Sequence, residues 1–161
     1  MRKKVYIETS IPSFYYEIRS EPAMVARRDW TKAWWDTQKH NYELVTGSIV
    51  IEELEQGNHP SKELTLKLVD DLPILPVEDL IDNIVKEYIS NYLMPRNPLG
   101  DALHLALASY HRCHFLLTWN CTHLANANKF EHIRHINNLL GLSVPILTTP
   151  VELLNGEGAI H

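Results

Sequence analysis

The chain has 161 residues, 45% hydrophobic and 22% charged, which suits one globular domain and is too apolar for a disordered segment. Its formal charge of −5 excludes a broadly basic nucleic-acid binder, though not a local basic patch or a cation bridging to phosphate. Two cysteines, Cys113 and Cys121, make no disulfide framework, and MRKKVYIETS lacks the apolar stretch of a signal peptide, so a cytoplasmic protein with reduced thiols and no membrane span is expected.

In chain order, residues 5–9 read as a strand. Residues 23–40 read as a helix, with Ala26, Trp30, Ala33 and Trp34 at helical spacing. Residues 42–46 form a second strand, and Ser48 is placed to cap a helix over 49–56 that stops at Gly57. A helix over 61–70 precedes a strand over 73–77, which is limited by its prolines. The helix predicted over 80–93 carries Ile81, Ile84, Val85, Tyr88, Ile89 and Tyr92 near one stripe, and Pro95 and Pro98 break the chain after it. A strongly apolar helix over 101–111, a strand over 114–118, a helix over 125–140 ending at Gly141, and a strand over 144–148 complete the pattern. Strands alternating with helices imply parallel pairing through crossover helices. The expected fold is α/β: a three-layer α/β/α sandwich around a parallel sheet of about five strands, in a single domain over 1–161. Ligands of such sheets bind beyond the carboxyl ends of the strands.

Polar groups interrupt this pattern where apolar elements end or begin. Glu8, Thr9 and Ser10 close the first strand, Glu53 lies in the helix after the second, Asp101 opens the Ala- and Leu-rich helix, and Thr118 and Asn120 end the fourth strand. In a parallel sheet Glu8 and Asn120 share one edge, and helices starting there bring Glu53 and Asp101 towards it. Converging carboxylates repel one another and resist desolvation. A divalent cation resolves that conflict, and a few hard oxygen ligands with room for water favour Mg²⁺ or Mn²⁺. Plainer explanations stand beside this one: a solvated strand end for Glu8, solvent-facing charges for Glu52 and Glu53, a first-turn charge against the helix dipole for Asp101, and a turn for Asn120.

Four motifs occur in order: VYIETS at 5–10, ELEQG at 53–57, GDALHLALA at 100–108 and LLTWN at 116–120. Together they resemble those of a PIN domain, and in size and layout the chain resembles a single-domain VapC-type toxin ribonuclease of a toxin–antitoxin pair. The resemblance implies a metal-dependent ribonuclease with Glu8, Glu53, Asp101 and Asn120 as catalytic positions. The first three would hold Mg²⁺ or Mn²⁺, and the hydroxyls of Thr9, Ser10 and Thr118 would orient carboxylates and water. It further implies an RNA substrate, an antitoxin protein and a homodimer. Two positions depart from the family pattern, since Glu8 and Asn120 stand where Asp is usual. An Asn contributes a carbonyl or a held water but no charge. The alternative is therefore a catalytically degenerate PIN-like module that binds RNA or protein without cutting. A nucleotide-binding α/β domain is a poor rival, because the chain has six glycines and no Gly-x-Gly-x-x-Gly or Walker loop.

Among nine histidines, His132 and His135 form a His-x-x-His pair without an evident third zinc ligand. His104, one turn after Asp101, and His123, three residues after Asn120, read either as site residues or as partly buried hydrogen-bonding groups. Trp30, Ala33 and Trp34 share a stripe suited to core packing, while Trp35 is expected to point elsewhere; the alternative is an aromatic interface with a second copy or an antitoxin. Arg19, Arg27, Arg28 and Lys32 lie close by in sequence as a local basic patch for RNA.

Overall fold

Val5, Tyr6 and Ile7 are wholly buried, and three consecutive buried residues mark a strand covered on both faces. In the computed structural model, which describes residues 1–94 and 99–154, they belong to β1 (Lys3–Ile7) at the centre of a five-stranded sheet. The other strands are β2 (Tyr42–Gly47), β3 (Ile74–Leu75), β4 (Phe115–Leu117) and β5 (Ile146–Thr148). Their order is β3-β2-β1-β4-β5, with every pairing parallel. Tyr6 sits opposite Val45 on one side and Leu116 on the other. Helices flank the sheet, so the protein is the expected α/β/α sandwich. No helix among the described residues is long and apolar enough to cross a membrane.

The helices are α1 (Ser10–Tyr15), α2 (Pro22–Gln38), α3 (Ser48–Gln56), α4 (Lys62–Val69), α5 (Asp79–Ser90), α6 (Leu99–Tyr110), α7 (Ala127–Leu139) and α8 (Pro150–Leu154). The short α1 and α8 were not among the predicted elements, because six and five residues are too few to display a helical period. The break read at Pro95 and Pro98 lies outside the described residues. Ser48 is the first residue of α3 and not its cap; Gly47 holds that place in extended backbone. A Cβ at Gly47 would lie 2.8 Å from both Leu107 Cδ1 and the Tyr6 hydroxyl, so only glycine lets these two side chains close over the start of α3. Helix α7 ends as expected before Gly141, which is left-handed at φ 71°.

The tryptophan expectation needs correction. Trp34 and Trp35 are both buried, at 0% and 4% exposure, whereas Trp30 is 40% exposed. Helix α2 is covered on two sides. Trp34 stacks on Tyr42 at the start of β2, and Trp35 meets Tyr15 of α1 edge-on, with the Lys39 ammonium over its ring. Trp30 instead stacks on Trp119, at 6.2 Å between centroids and 25° between planes.

The chain order makes the site. After β3 the chain returns past β2 and β1 to place β4 beside β1, and this change of direction leaves a crevice at their carboxyl ends. Two bonds carry the pairing past the strands: Glu8 N–H donates to the Leu117 carbonyl at 3.2 Å, and Thr118 N–H to the Thr148 carbonyl at 2.9 Å. Glu8 and Thr118 are therefore held in register at the crevice.

Candidate functional site

Glu8 follows the last residue of β1 and is 6% exposed, an unusual burial for a carboxylate. One of its oxygens is saturated. Oε1 accepts from Ser10 N–H at 3.0 Å, the Ser10 hydroxyl at 2.5 Å and the Thr118 hydroxyl at 2.6 Å. Ser10 in turn accepts from Trp119 N–H at 2.8 Å, and Thr118 Oγ1 from Asn120 N–H at 2.9 Å. The residues after β1 and after β4 are thus laced together through Glu8.

Glu53 sits on α3, where its Oε1 accepts from the Thr9 hydroxyl and from His104 Nε2, the latter at 2.8 Å. Its Oε2 lies over Gly100, where a Cβ would meet it at 2.5 Å. The absent side chain at the start of α6 is therefore the space the carboxylate occupies. Asp101, 8% exposed, is the next residue; its Oδ1 accepts from Asn120 Nδ2 at 3.0 Å.

Each of the three carboxylates is thus pinned by one oxygen. The other oxygens, Glu8 Oε2, Glu53 Oε2 and Asp101 Oδ2, take no hydrogen bond among the described residues. Ligand atoms of Glu8, Glu53 and His104 lie within 4.8 Å of one another. Asp101 is not in that group of mutually close ligand atoms; its pKa is raised, by burial first and then by the charge of Glu8, with Glu53 adding a smaller push and His104 and His123 opposing. Oriented hard oxygens without donors among the described residues fit a divalent cation.

His104 is fully buried between these groups. Its Nδ1 meets the Tyr6 hydroxyl at 2.8 Å, and its Nε2 stands 3.9 Å from Glu8 Oε2 as well as bonding Glu53. Burial opposes its charged form, yet the Glu53 hydrogen bond and the charges of Glu8, Glu53 and Asp101 outweigh burial and raise its pKa above 6.5. Burial likewise pushes Glu53 up, but the His104 bond and charge, with the Thr9 hydroxyl, bring it below 4.5. The His104 ring and the Glu53 carboxylate thus favour each other's charged forms. Spacing alone left His104 open between a site residue and a packed one; its position three residues after Asp101 on one helix was the available signal.

Asn120 is engaged in hydrogen bonds at both ends of its amide. Its amide oxygen accepts from Thr122 N–H at 3.2 Å and His123 N–H at 3.0 Å, so the amide NH₂ faces Asp101. It positions Asp101 and closes the turn after β4. Lys129, in the first turn of α7, is a cation that sequence reasoning missed. Burial lowers its pKa, and the nearby charge of Asp101 raises it.

The four basic residues read as a patch have different immediate partners, although Arg28 and Lys32 line one cavity. Arg19 pairs with Glu17, Nη2 to Oε1 at 2.5 Å, and Arg28 with Asp29 at 3.1 Å. Lys32 lies over Tyr15, and Arg27 lies over Phe14 and Trp119. His132 and His135 join no metal-ligand group among the described residues. Cys113 is buried and Cys121 exposed, both as free thiols. No family model and no curated protein matches this chain.

Proposed function

We propose that this protein is a Mg²⁺- or Mn²⁺-dependent ribonuclease of the PIN type, acting in the cytoplasm as the toxin of a toxin–antitoxin pair. RNA is its substrate, an antitoxin protein its regulator, and a second copy of the chain its partner. The observation that carries the reading is the set of three carboxylates from three elements, each fixed by one oxygen and, among the described residues, without a hydrogen bond at the other. Glu8, Glu53 and Asp101 would hold the cation. When bound, it supplies Lewis-acid activation of water and stabilises charge on the leaving oxygen. The choice of RNA rests on the motif resemblance.

The protein's own groups prepare that chemistry. Ser10 and Thr118 set the angle of Glu8, Thr9 and His104 set that of Glu53, and Asn120 sets that of Asp101. Lys129 puts positive charge near Asp101, which helps an acidic protein approach a phosphodiester.

One observation favours the second reading, a PIN-like module that binds without cutting: the buried His104 ring already stands among the carboxylates, its Nε2 2.8 Å from Glu53 Oε1 and 3.9 Å from Glu8 Oε2. Incubating purified protein with structured and unstructured RNA, with and without Mn²⁺, separates the two. The nuclease reading expects Mn²⁺-dependent cleavage that Asp101→Asn abolishes. Cleavage unaffected by Asp101→Asn, or no cleavage with Mn²⁺ present, contradicts it.

A further inference from the structure

Trp119 lies between two residues that build the carboxylate site, Thr118 and Asn120, and is itself locked in place. Its backbone N–H donates to Ser10 Oγ, and its indole N–H donates to Thr31 Oγ1 of α2 at 2.8 Å. One turn of α2 earlier, the Arg27 guanidinium lies 5.3 Å from the Trp119 ring centroid and 5.6 Å from that of Phe14. Unlike Arg19 and Arg28, Arg27 pairs with no carboxylate among the described residues. Trp30 stacks on Trp119 and remains 40% exposed, while Trp119 is 6% exposed. The result is a fixed aromatic step beside the end of β4, one ring deep and one ring open, next to a cation with no carboxylate partner among the described residues.

We propose that Trp30 is a stacking platform for an unpaired base of single-stranded RNA, with Arg27 facing the adjoining phosphate. The proposal rests on the ribonuclease reading and specifies the form of its substrate. A flat indole backed by a second indole offers a rigid π-face at little entropic cost. A base within a duplex has both faces covered by its neighbours, so the platform selects unstacked nucleotides. Arg27 supplies the charge complementarity that a purely apolar protein contact does not need, and its planar cation suits phosphate. Through its backbone Trp119 is tied to Ser10, whose hydroxyl holds Glu8, so the step is linked to the chain segments that carry the carboxylate site.

Fluorescence anisotropy with two labelled ten-nucleotide RNAs tests this, one an oligouridylate and the other the same backbone with abasic riboses, in EDTA to prevent cleavage. Wild type is expected to prefer the base-bearing strand by about tenfold, the value of one stacked base. Trp30→Ala loses that preference and Trp30→Tyr retains it, while binding of the abasic strand is the same in all three. Arg27→Gln weakens both strands equally. With Mn²⁺, Trp30→Ala raises KM and leaves kcat near wild type. If Trp30→Ala keeps the full base preference, the proposal is overturned although cleavage by the wild type would leave the ribonuclease reading intact. If wild type binds neither strand and cleaves no RNA, both are overturned. A change of Trp30→Ala in light-scattering mass with RNA affinity unchanged assigns the surface to a protein partner and also overturns it.

Discussion

Replacing Asn120 by Asp gives the site the fourth carboxylate that the motif resemblance leads one to expect, and the structure predicts that this destabilises the ion-free protein. The Asn120 NH₂ donates to Asp101 Oδ1 at 3.0 Å, and its carbonyl oxygen already serves Thr122 and His123. Asp would keep the carbonyl-side bonds and turn the donor into a second anion. Two unit charges 3.0 Å apart repel by about 5.5 kcal/mol at an effective dielectric of about 20. Asn120 is half-buried, so solvent cuts this to about 2–3 kcal/mol, and the lost charge-assisted hydrogen bond adds about 1 kcal/mol. For a chain of this size, about 3–4 kcal/mol lowers Tm by roughly 6–16 °C. Thermal melts followed by circular dichroism, in EDTA and in Mn²⁺, measure it. Asn120→Asp should melt well below wild type in EDTA and recover most of the difference in Mn²⁺, because a cation joins the two carboxylates. Asn120→Ala, which adds no charge, should lose less in EDTA and recover little. An Asn120→Asp protein melting with wild type in EDTA would refute the assignment of Asn120 as the donor that positions Asp101.

Stability without metal should depend on pH through His104 and Glu53. The His104 pKa is raised in the fold, so its contribution is complete below 6.5 and is lost as pH rises through the folded value; Glu53 is lowered, so its contribution is complete above 4.5 and is lost as pH falls through the folded value. Melts in EDTA should therefore show Tm falling on the alkaline side in wild type and a flatter alkaline limb in His104→Gln; parallel profiles would remove His104 as the counter-ion. Gly100→Ala should weaken Mn²⁺ binding about tenfold or more with little change in Tm, since the new Cβ would meet Glu53 Oε2 at 2.5 Å and turn the carboxylate away. Tyr6→Phe should cost about 1–3 kcal/mol in chemical denaturation, because it leaves a buried His104 nitrogen without its partner. Static light scattering at tens of micromolar should give the mass of a dimer, and a monomer mass would remove self-association from the proposal.

The sheet was legible because its strands are short apolar runs buried on both faces, separated by helices with a clear period. Glu8, Glu53, Asp101 and Thr118 were legible for a related reason: a charge or hydroxyl at the end of such a run has no place in a core and must be at its edge. What sequence could not supply was direction. Neighbouring Trp34 and Trp35 point to different sides of one helix and are both buried because α1 and the sheet cover both sides. Asn120 was read as a catalytic position from its place in a motif, but which end of its amide faces Asp101 depends on the two backbone N–H groups that claim its oxygen. His104 was ambiguous because a buried histidine and a site histidine have the same spacing, and only the packing of Tyr6 beneath it shows that it spans both roles.

Isothermal calorimetry of Mn²⁺ binding to wild type and to Asp101→Asn, at a pH above the raised His104 value, tests the central claim most directly. The account predicts saturable binding by wild type and affinity at least about tenfold weaker for Asp101→Asn, because one of three anionic ligands has become neutral. Equal affinities, or a wild type that takes up no Mn²⁺, would contradict it.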